Sequence, residues 1–327
     1  MRSFAFVPPR YFPGIAGGAE TLMANLALEL SKRGDNITIL TTCAKDNRTW
    51  ENDLPEGESR EEGLSVIRFK VDSRNLDKWI PLQIRLSEGF PLSVEDQFTW
   101  MTESVNSKAL YDYIYRNETK YDAFFFGPYL FGTTFWGSLI HPHKSFLIPC
   151  LHDEVYAYTD LVGSMFRQVR GALFNAEPEM QLARRLYGNV KGFEVGMGFY
   201  PREEKSLKPY FEENFPYLIY VGRKETGKNV QVLIDYFIEY KNRNTQSNLK
   251  LVIVGGGSFS DLFRPEALLR DDIVDVPHVT EDEKVSLIKN STALVQPSVN
   301  ESFSIVLMEA WLQGVPVLVH GQCAVTH

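Results

Sequence analysis

Tyr220-Val-Gly222-Arg223-Lys-Glu-Thr-Gly-Lys228 sets two fixed cations five residues apart at the end of an apolar stretch, with a helical pattern starting directly afterwards. A guanidinium can fork onto a diphosphate, and an ammonium can act beside it as a point charge. The same stretch also fits a solvated strand-to-helix turn with ordinary surface cations. Further on, Pro297-Ser-Val-Asn-Glu301-Ser-Phe-Ser304-Ile305-Val-Leu-Met-Glu309 carries two carboxylates eight residues apart. With a helix starting near Phe303, Glu301 falls in the preceding loop and Glu309 within the helix. A carboxylate can accept from two neighbouring hydroxyls at once, so one of the pair suits a sugar and the other a ribose diol. The amides of Ser304 and Ile305 would face an anion at the helix start. Taken without the other motifs, Glu301 reads as a capping acid and Glu309 as a surface residue.

Two glycine loops follow apolar runs. Gly17 and Gly18 precede a helical pattern, where missing β-carbons let amides approach a phosphate or merely permit a tight turn. Leu251-Val-Ile-Val-Gly255-Gly256-Gly257 nearly matches a dinucleotide fingerprint, with Asp275 at a distance suited to a ribose. Pro265 interrupts the helix that such a fingerprint needs. His141, His143, Cys150 and His152 fall within twelve residues and invite a zinc reading. If Ser145 to Leu151 is a strand, its rise puts the two ends about 20 Å apart, which argues against a shared ion. His152 would then leave the carboxyl end of its strand, where open α/β sheets place ligands.

Alternating elements are expected to carry these residues. Phe4 to Val7, Asn36 to Thr42, Leu64 to Val71, Tyr121 to Phe126 and Ser145 to Leu151 read as strands, and Glu20 to Arg33 as a helix closed by Gly34. Residues 72 to 118 mix aromatics and charges without clear periodicity. Pro216 to Val221, Lys250 to Val254, Ile273 to Val276, Ala293 to Gln296 and Val315 to Val319 read as a second set of strands. Between them lie helical patterns at Asn229 to Tyr240, Glu281 to Lys289 and Phe303 to Gln313, the first with Val230, Leu233, Phe237 and Tyr240 on one face. This alternation predicts doubly wound α/β domains. The Gly-, Pro- and charge-rich stretch from Glu194 to Glu213 puts the boundary near residue 205, giving domains 1–205 and 206–327. The sequence stops at His327 just past a strand, so the second domain is expected to be C-terminally incomplete.

Composition limits the function classes. The 327 residues are 44% hydrophobic and 23% charged, enough apolar material for more than one core. Lys+Arg 34 against Asp+Glu 42 gives a net charge of -8, which offers no basic surface for nucleic acid. Three scattered cysteines fit a reducing, cytoplasmic compartment rather than a disulfide framework. Ala123 to Ile140 is uncharged and long enough to suggest a membrane span, but its glycines and Gly127-Pro128 read better as a buried strand and turn.

In order along the chain, Gly17-Gly18 before a helix, Gly222-Arg223 with Lys228, Gly255-Gly256, and the E-x7-E from Glu301 to Glu309 followed by Gly314-Val-Pro-Val resemble the retaining glycosyltransferases of family 4. The resemblance implies the GT-B architecture, two Rossmann-like domains facing each other across a cleft. It also implies transfer from a nucleotide-diphosphate sugar to a saccharide or glycolipid acceptor, with retention, without metal or cofactor, and with at most peripheral membrane contact. No D-x-D metal-sugar motif occurs in the sequence. Carried over by position, Arg223 and Lys228 neutralise the diphosphate while Gly17 and Gly18 close over it. Glu309 holds the ribose, Glu301 touches the donor sugar, and His278 and Val279 with Gly255 and Gly256 border the base. His152 resembles the histidine that contacts the donor sugar near the reacting carbon. The chain departs from the family pattern at Asn229, Ser302 and Ser304, which stand where glycines are common. Two other readings stay open: a nucleotide-sugar-binding protein without turnover, and an NAD-dependent oxidoreductase working through Gly255 to Gly257. Sugar, base and acceptor are not legible.

Overall fold

The computed structural model describes residues 1–15, 17–198 and 207–326. The chain divides into two compact units, Met1–Met197 and Gly198–His327. The expected boundary near residue 205 lies outside the described residues.

In the first unit, strands β1 (Ser3–Val7), β2 (Asn36–Thr42), β3 (Gly57–Glu61), β4 (Leu64–Phe69), β5 (Ala123–Phe126), β6 (Ser145–Leu147), β7 (Gly171–Phe174) and β8 (Gly192–Glu194) form one sheet in the order β3-β4-β2-β1-β5-β6-β7-β8. Helices α1 (Gly18–Lys32), α2 (Leu76–Ser87), α3 (Val94–Thr102), α4 (Lys108–Arg116), α5 (Gly132–Ser138), α6 (Asp160–Gln168) and α7 (Glu177–Tyr187) connect them. The strands are parallel except β3, which pairs antiparallel with β4. Along β1, Ala5 and Val7 join one apolar cluster while Phe4 and Phe6 join another. Successive side chains point to opposite faces, so a strand that is apolar throughout requires cover on both.

The second unit repeats the principle with β9 (Tyr217–Val221), β10 (Lys250–Val254), β11 (Ile273–Val276), β12 (Ala293–Gln296) and β13 (Val317–Val319), all parallel, in the order β11-β10-β9-β12-β13. Its helices are α8 (Val230–Arg243), α9 (Glu281–Lys289) and α10 (Ile305–Leu312). Val252 and Val254 of β10 pack in one cluster, Leu251 and Ile253 in the other.

Several expectations change. The polar stretch before Leu64 contains β3, formed by Gly-Glu-Ser-Arg-Glu at the sheet edge, where no apolar alternation is needed. Its two-residue turn, Glu62 at φ 49° and Gly63 at φ 86°, suits a hairpin. The unassigned region after residue 72 holds α2, α3 and α4. Asn75, Ser93 and Ser107 each cap one of these by accepting an amide three residues on. Exposed Leu76, Ile80 and Ile84 blur the apolar period of α2, and Pro81 lies within it. Ser145 to Leu151 is a strand only to Leu147. Pro149 lacks an amide proton and Cys150 sits at φ 49°, so the chain leaves the sheet early. Tyr240 is exposed rather than on the packed face of α8. The helix expected from Phe303 begins at Ile305, because Ser304 adopts a left-handed conformation. Among the described residues, no helix is long and apolar enough to cross a membrane; Ala123 to Ile140 divides between β5 and the seven-residue α5.

Candidate functional site

The strand order of the second unit reverses at β9, which has β10 on one side and β12 on the other. Loops leaving neighbouring strands at such a switch point diverge and open a crevice at the carboxyl ends. Four of these loops carry the singled-out residues: Gly222 to Asn229, Gly255 to Gly257, Pro277 to Thr280 and Pro297 to Ser304.

Backbone pairing fixes the loops after β9, β10 and β11 against one another. Gly222 N donates to Val254 O at 2.9 Å, Lys224 N to Gly256 O at 2.8 Å, and Gly255 N to Val276 O at 3.0 Å. A β-carbon on Gly255, at φ 127°, would strike the Gly222 carbonyl oxygen, so this glycine is required by close backbone approach. Gly256 faces open space. Lys224 is fully buried; its ammonium donates to Gly255 O and pairs with Asp275 Oδ1 at 2.9 Å. The fingerprint reading therefore loses two of its parts. Asp275 is engaged by Lys224, and β10 leads into a 3-10 turn at Pro265–Leu269 where a dinucleotide site needs a helix.

Lys228 and Glu301, 73 positions apart, meet at 2.8 Å between Nζ and Oε1. Asn229 supports this junction. It adopts a left-handed φ of 55°, which Asn tolerates best after Gly, and its Nδ2 donates to Pro297 O at 3.2 Å. Ser304 occupies the same kind of conformation at φ 69°, and its Oγ accepts from Gln296 Nε2 at 3.4 Å. Two of the three positions where the chain departs from glycine, Asn229 and Ser304, thus keep a left-handed backbone that glycine adopts readily, whereas Ser302 does not. Arg223 is half-exposed and pairs with Glu225 at 2.9 Å. Buried Tyr220 donates to Arg223 O at 2.9 Å. Burial raises its phenol pKa, the Glu301 and Glu225 carboxylates raise it further, and Arg223 opposes them.

Glu309, on α10, meets a partner that sequence reasoning missed: Lys284 of α9 at 2.8 Å, which also reaches Glu281 at 2.8 Å. Burial lowers the Lys284 pKa, but the Glu309 and Glu281 carboxylates outweigh it and the net shift is upward. Nothing in the amphipathic pattern of α9 marks this lysine; Glu225 and buried Lys224 were readable only as loop charges. Pro277 and His278 are exposed and Val279 half-buried, just ahead of the capping box of Thr280 and Glu283.

In the first unit, His152 follows β6 with Nδ1 3.6 Å from Glu154 Oε1, and Glu154 accepts from Tyr129 Oη at 2.8 Å. His141 and His143 lie instead against Glu118, at 3.8 and 3.1 Å. They are thus assigned to a different carboxylate from His152. Gly17 caps α1 with an extended backbone, and a β-carbon there would strike the Glu20 carboxylate, which Arg10 holds at 2.5 Å; Gly18 faces open space.

Residues 201–326 match the family model described as glycosyl transferases group 1. A D-inositol 3-phosphate glycosyltransferase of Rhodococcus jostii is 29% identical over 149 residues, covering 43% of this chain and 30% of that protein. The chain thus spans under a third of that relative's length. Among solved structures, a sucrose-phosphate synthase from Thermosynechococcus elongatus superposes with a TM-score of 0.67 at 14% identity, over 98% of this chain and 81% of that one. An E. coli trehalose-6-phosphate structure bound with UDP-2-fluoro glucose gives 0.68 at 10% identity, over 97% and 83%. At these identities the likeness establishes the fold. Residues 201–326 thus resemble the glycosyl transferases group 1, and the two parallel-sheet units share the GT-B fold of these solved structures.

Proposed function

We propose that the protein transfers a sugar from a nucleotide-diphosphate sugar to a saccharide or glycolipid acceptor, with retention and without a metal ion. The observation that carries this reading is the junction of the loops after β9 and β12, where Lys228 meets Glu301 at 2.8 Å; Arg223 lies in the same loop as Lys228. Glycosyl transfer develops oxocarbenium character at the anomeric carbon and negative charge on the departing diphosphate. Fixed cations lower that barrier if their hold strengthens as the charge grows, a task suited to Arg223 and Lys228 without a metal. Glu301 then serves both as a counter-ion to Lys228 and as an acceptor for sugar hydroxyls, and Glu309 takes the ribose diol. His152 contacts the donor sugar near the reacting carbon; retention follows from the family resemblance. That a fold relative is bound with UDP-2-fluoro glucose supports a nucleotide-sugar donor.

A thermal-shift screen over uridine, guanosine and adenosine diphosphate sugars, followed by assays of nucleotide release with and without acceptors, tests the proposal. Ligand binding raises apparent stability by mass action. Binding without nucleotide release from any donor would leave a sugar-nucleotide receptor in place of a transferase; no binding would remove the donor site.

A further inference from the structure

The most buried acid of the first unit is not used by the chemistry above. Glu179 is 1% exposed, on the first turn of α7. Its Oε1 accepts from Leu151 N and its Oε2 from Asn175 N, each at 2.6 Å. Capping α7 accounts for the bond to Asn175, which lies just ahead of the helix. It does not account for the reach across to Leu151, in the loop after the neighbouring strand β6. That loop turns at Cys150, whose φ of 49° is a left-handed conformation that side-chain-bearing residues rarely adopt, and His152 follows two residues later. Such a backbone persists only where its surroundings over-determine it, and strained turns gather at functional sites.

We propose that Glu179 is a positioning residue: its carboxylate clamps the loops after β6 and β7 together and so holds the turn that presents His152. The proposal rests on the role of His152 given above. Two amide protons converge on the two oxygens of one carboxyl group, which offers an acceptor to each. Gln would offer one acceptor and turn its NH2 toward an amide N–H. Burial pushes the Glu179 pKa up to about 7 although the amides of Asn175, Leu151 and Ala176 pull it down. The site thus keeps a carboxylate in a place that disfavours charge, which a residue needed only for packing would not require.

The test uses the full chain carrying Glu179→Gln. Hydrolysis of UDP-glucose, GDP-mannose and ADP-glucose is followed in parallel, and hydrogen exchange is measured over residues 149–153. Misplacing a contact residue by about 1 Å can cost about 100-fold, so kcat is expected to fall at least about tenfold while KM stays within about twofold. Exchange over 149–153 is expected to quicken, and binding of UDP, GDP and ADP to the second unit to hold. Combined with His152→Ala, the substitution should slow turnover no further than His152→Ala alone, since both remove one contact. Cys150→Gly, which tolerates the turn, should recover part of the loss. Wild-type kcat and exchange in Glu179→Gln, or losses that multiply with His152→Ala, overturn the positioning role alone. Turnover unaffected by His152→Ala overturns the reading beneath it as well. If Glu179→Gln does not fold, Glu179→Asp, too short to span both amides, is read by the same exchange measurement, which also decides the matter if none of the three sugars turns over.

Discussion

Lys228 and Glu301 offer the sharpest test of the donor site, because their removal should act in opposite directions. At 2.8 Å the pair's direct attraction is about 6 kcal/mol at an effective dielectric constant near 20, most of it offset by desolvation. The side chains are 26% and 10% exposed, so the pair is neither freely solvated nor sealed. A diphosphate arriving here gains a charge-assisted bond from Lys228, worth about 1.5–3 kcal/mol. Lys228→Ala should therefore raise the dissociation constant of the nucleoside diphosphate about 10- to 150-fold. Glu301→Gln removes the competing carboxylate and should leave diphosphate binding equal or up to about fivefold tighter, while weakening the sugar-bearing donor. Isothermal titration of both variants with UDP, GDP and ADP and the matching glucose conjugates, at one ionic strength, measures all four quantities. Unchanged diphosphate affinity in Lys228→Ala, or a Glu301→Gln variant that loses bare diphosphate as strongly as donor, would refute the assignment.

Glu225→Gln frees Arg223 from its 2.9 Å partner and should tighten diphosphate binding about two- to fivefold, an effect that shrinks with added salt in a titration series. Lys284→Met should weaken ribonucleoside diphosphates about threefold to tenfold through Glu309 yet barely affect the 2′-deoxy forms; equal losses on both would mean that Glu309 does not read the ribose. Glu179 should make stability pH-dependent. Its folded pKa, raised from 4.5 to about 7, lies above the unfolded one, so its contribution is fully present below about pH 4.5 and is lost as pH rises through about 7. The shift corresponds to about 3 kcal/mol as an order of magnitude. Urea midpoints of wild type and Glu179→Gln between pH 5 and 8 should converge in slope only if another group governs that window.

Ten of the thirteen described strands were legible in the sequence because parallel strands buried on both faces are apolar throughout, and β2, β10, β11 and β12 fall where the pattern puts them, whereas the short β7 and β8 were not read. The helices of residues 76–116 were not, since their exposed apolar residues and Pro81 mask the period that burial normally imposes. Likewise β3, held by an edge hairpin rather than by burial, leaves no hydrophobic trace.

For the site, the sequence by itself determined which residue types stand at the ends of successive strands, since a loop's place in a βαβ chain is fixed by the order of its elements. Arg223, Lys228, Glu301 and Glu309 were named that way. Only the tertiary structure decided their partners. Lys228 finds Glu301 across 73 positions, Glu309 finds Lys284, and Glu179 reaches Leu151. The physical reason is that hydrophobic period specifies which face an element buries, whereas charge pairing between loops depends on strand order and on the close backbone approach of Gly255 to Gly222, neither of which any local spacing encodes.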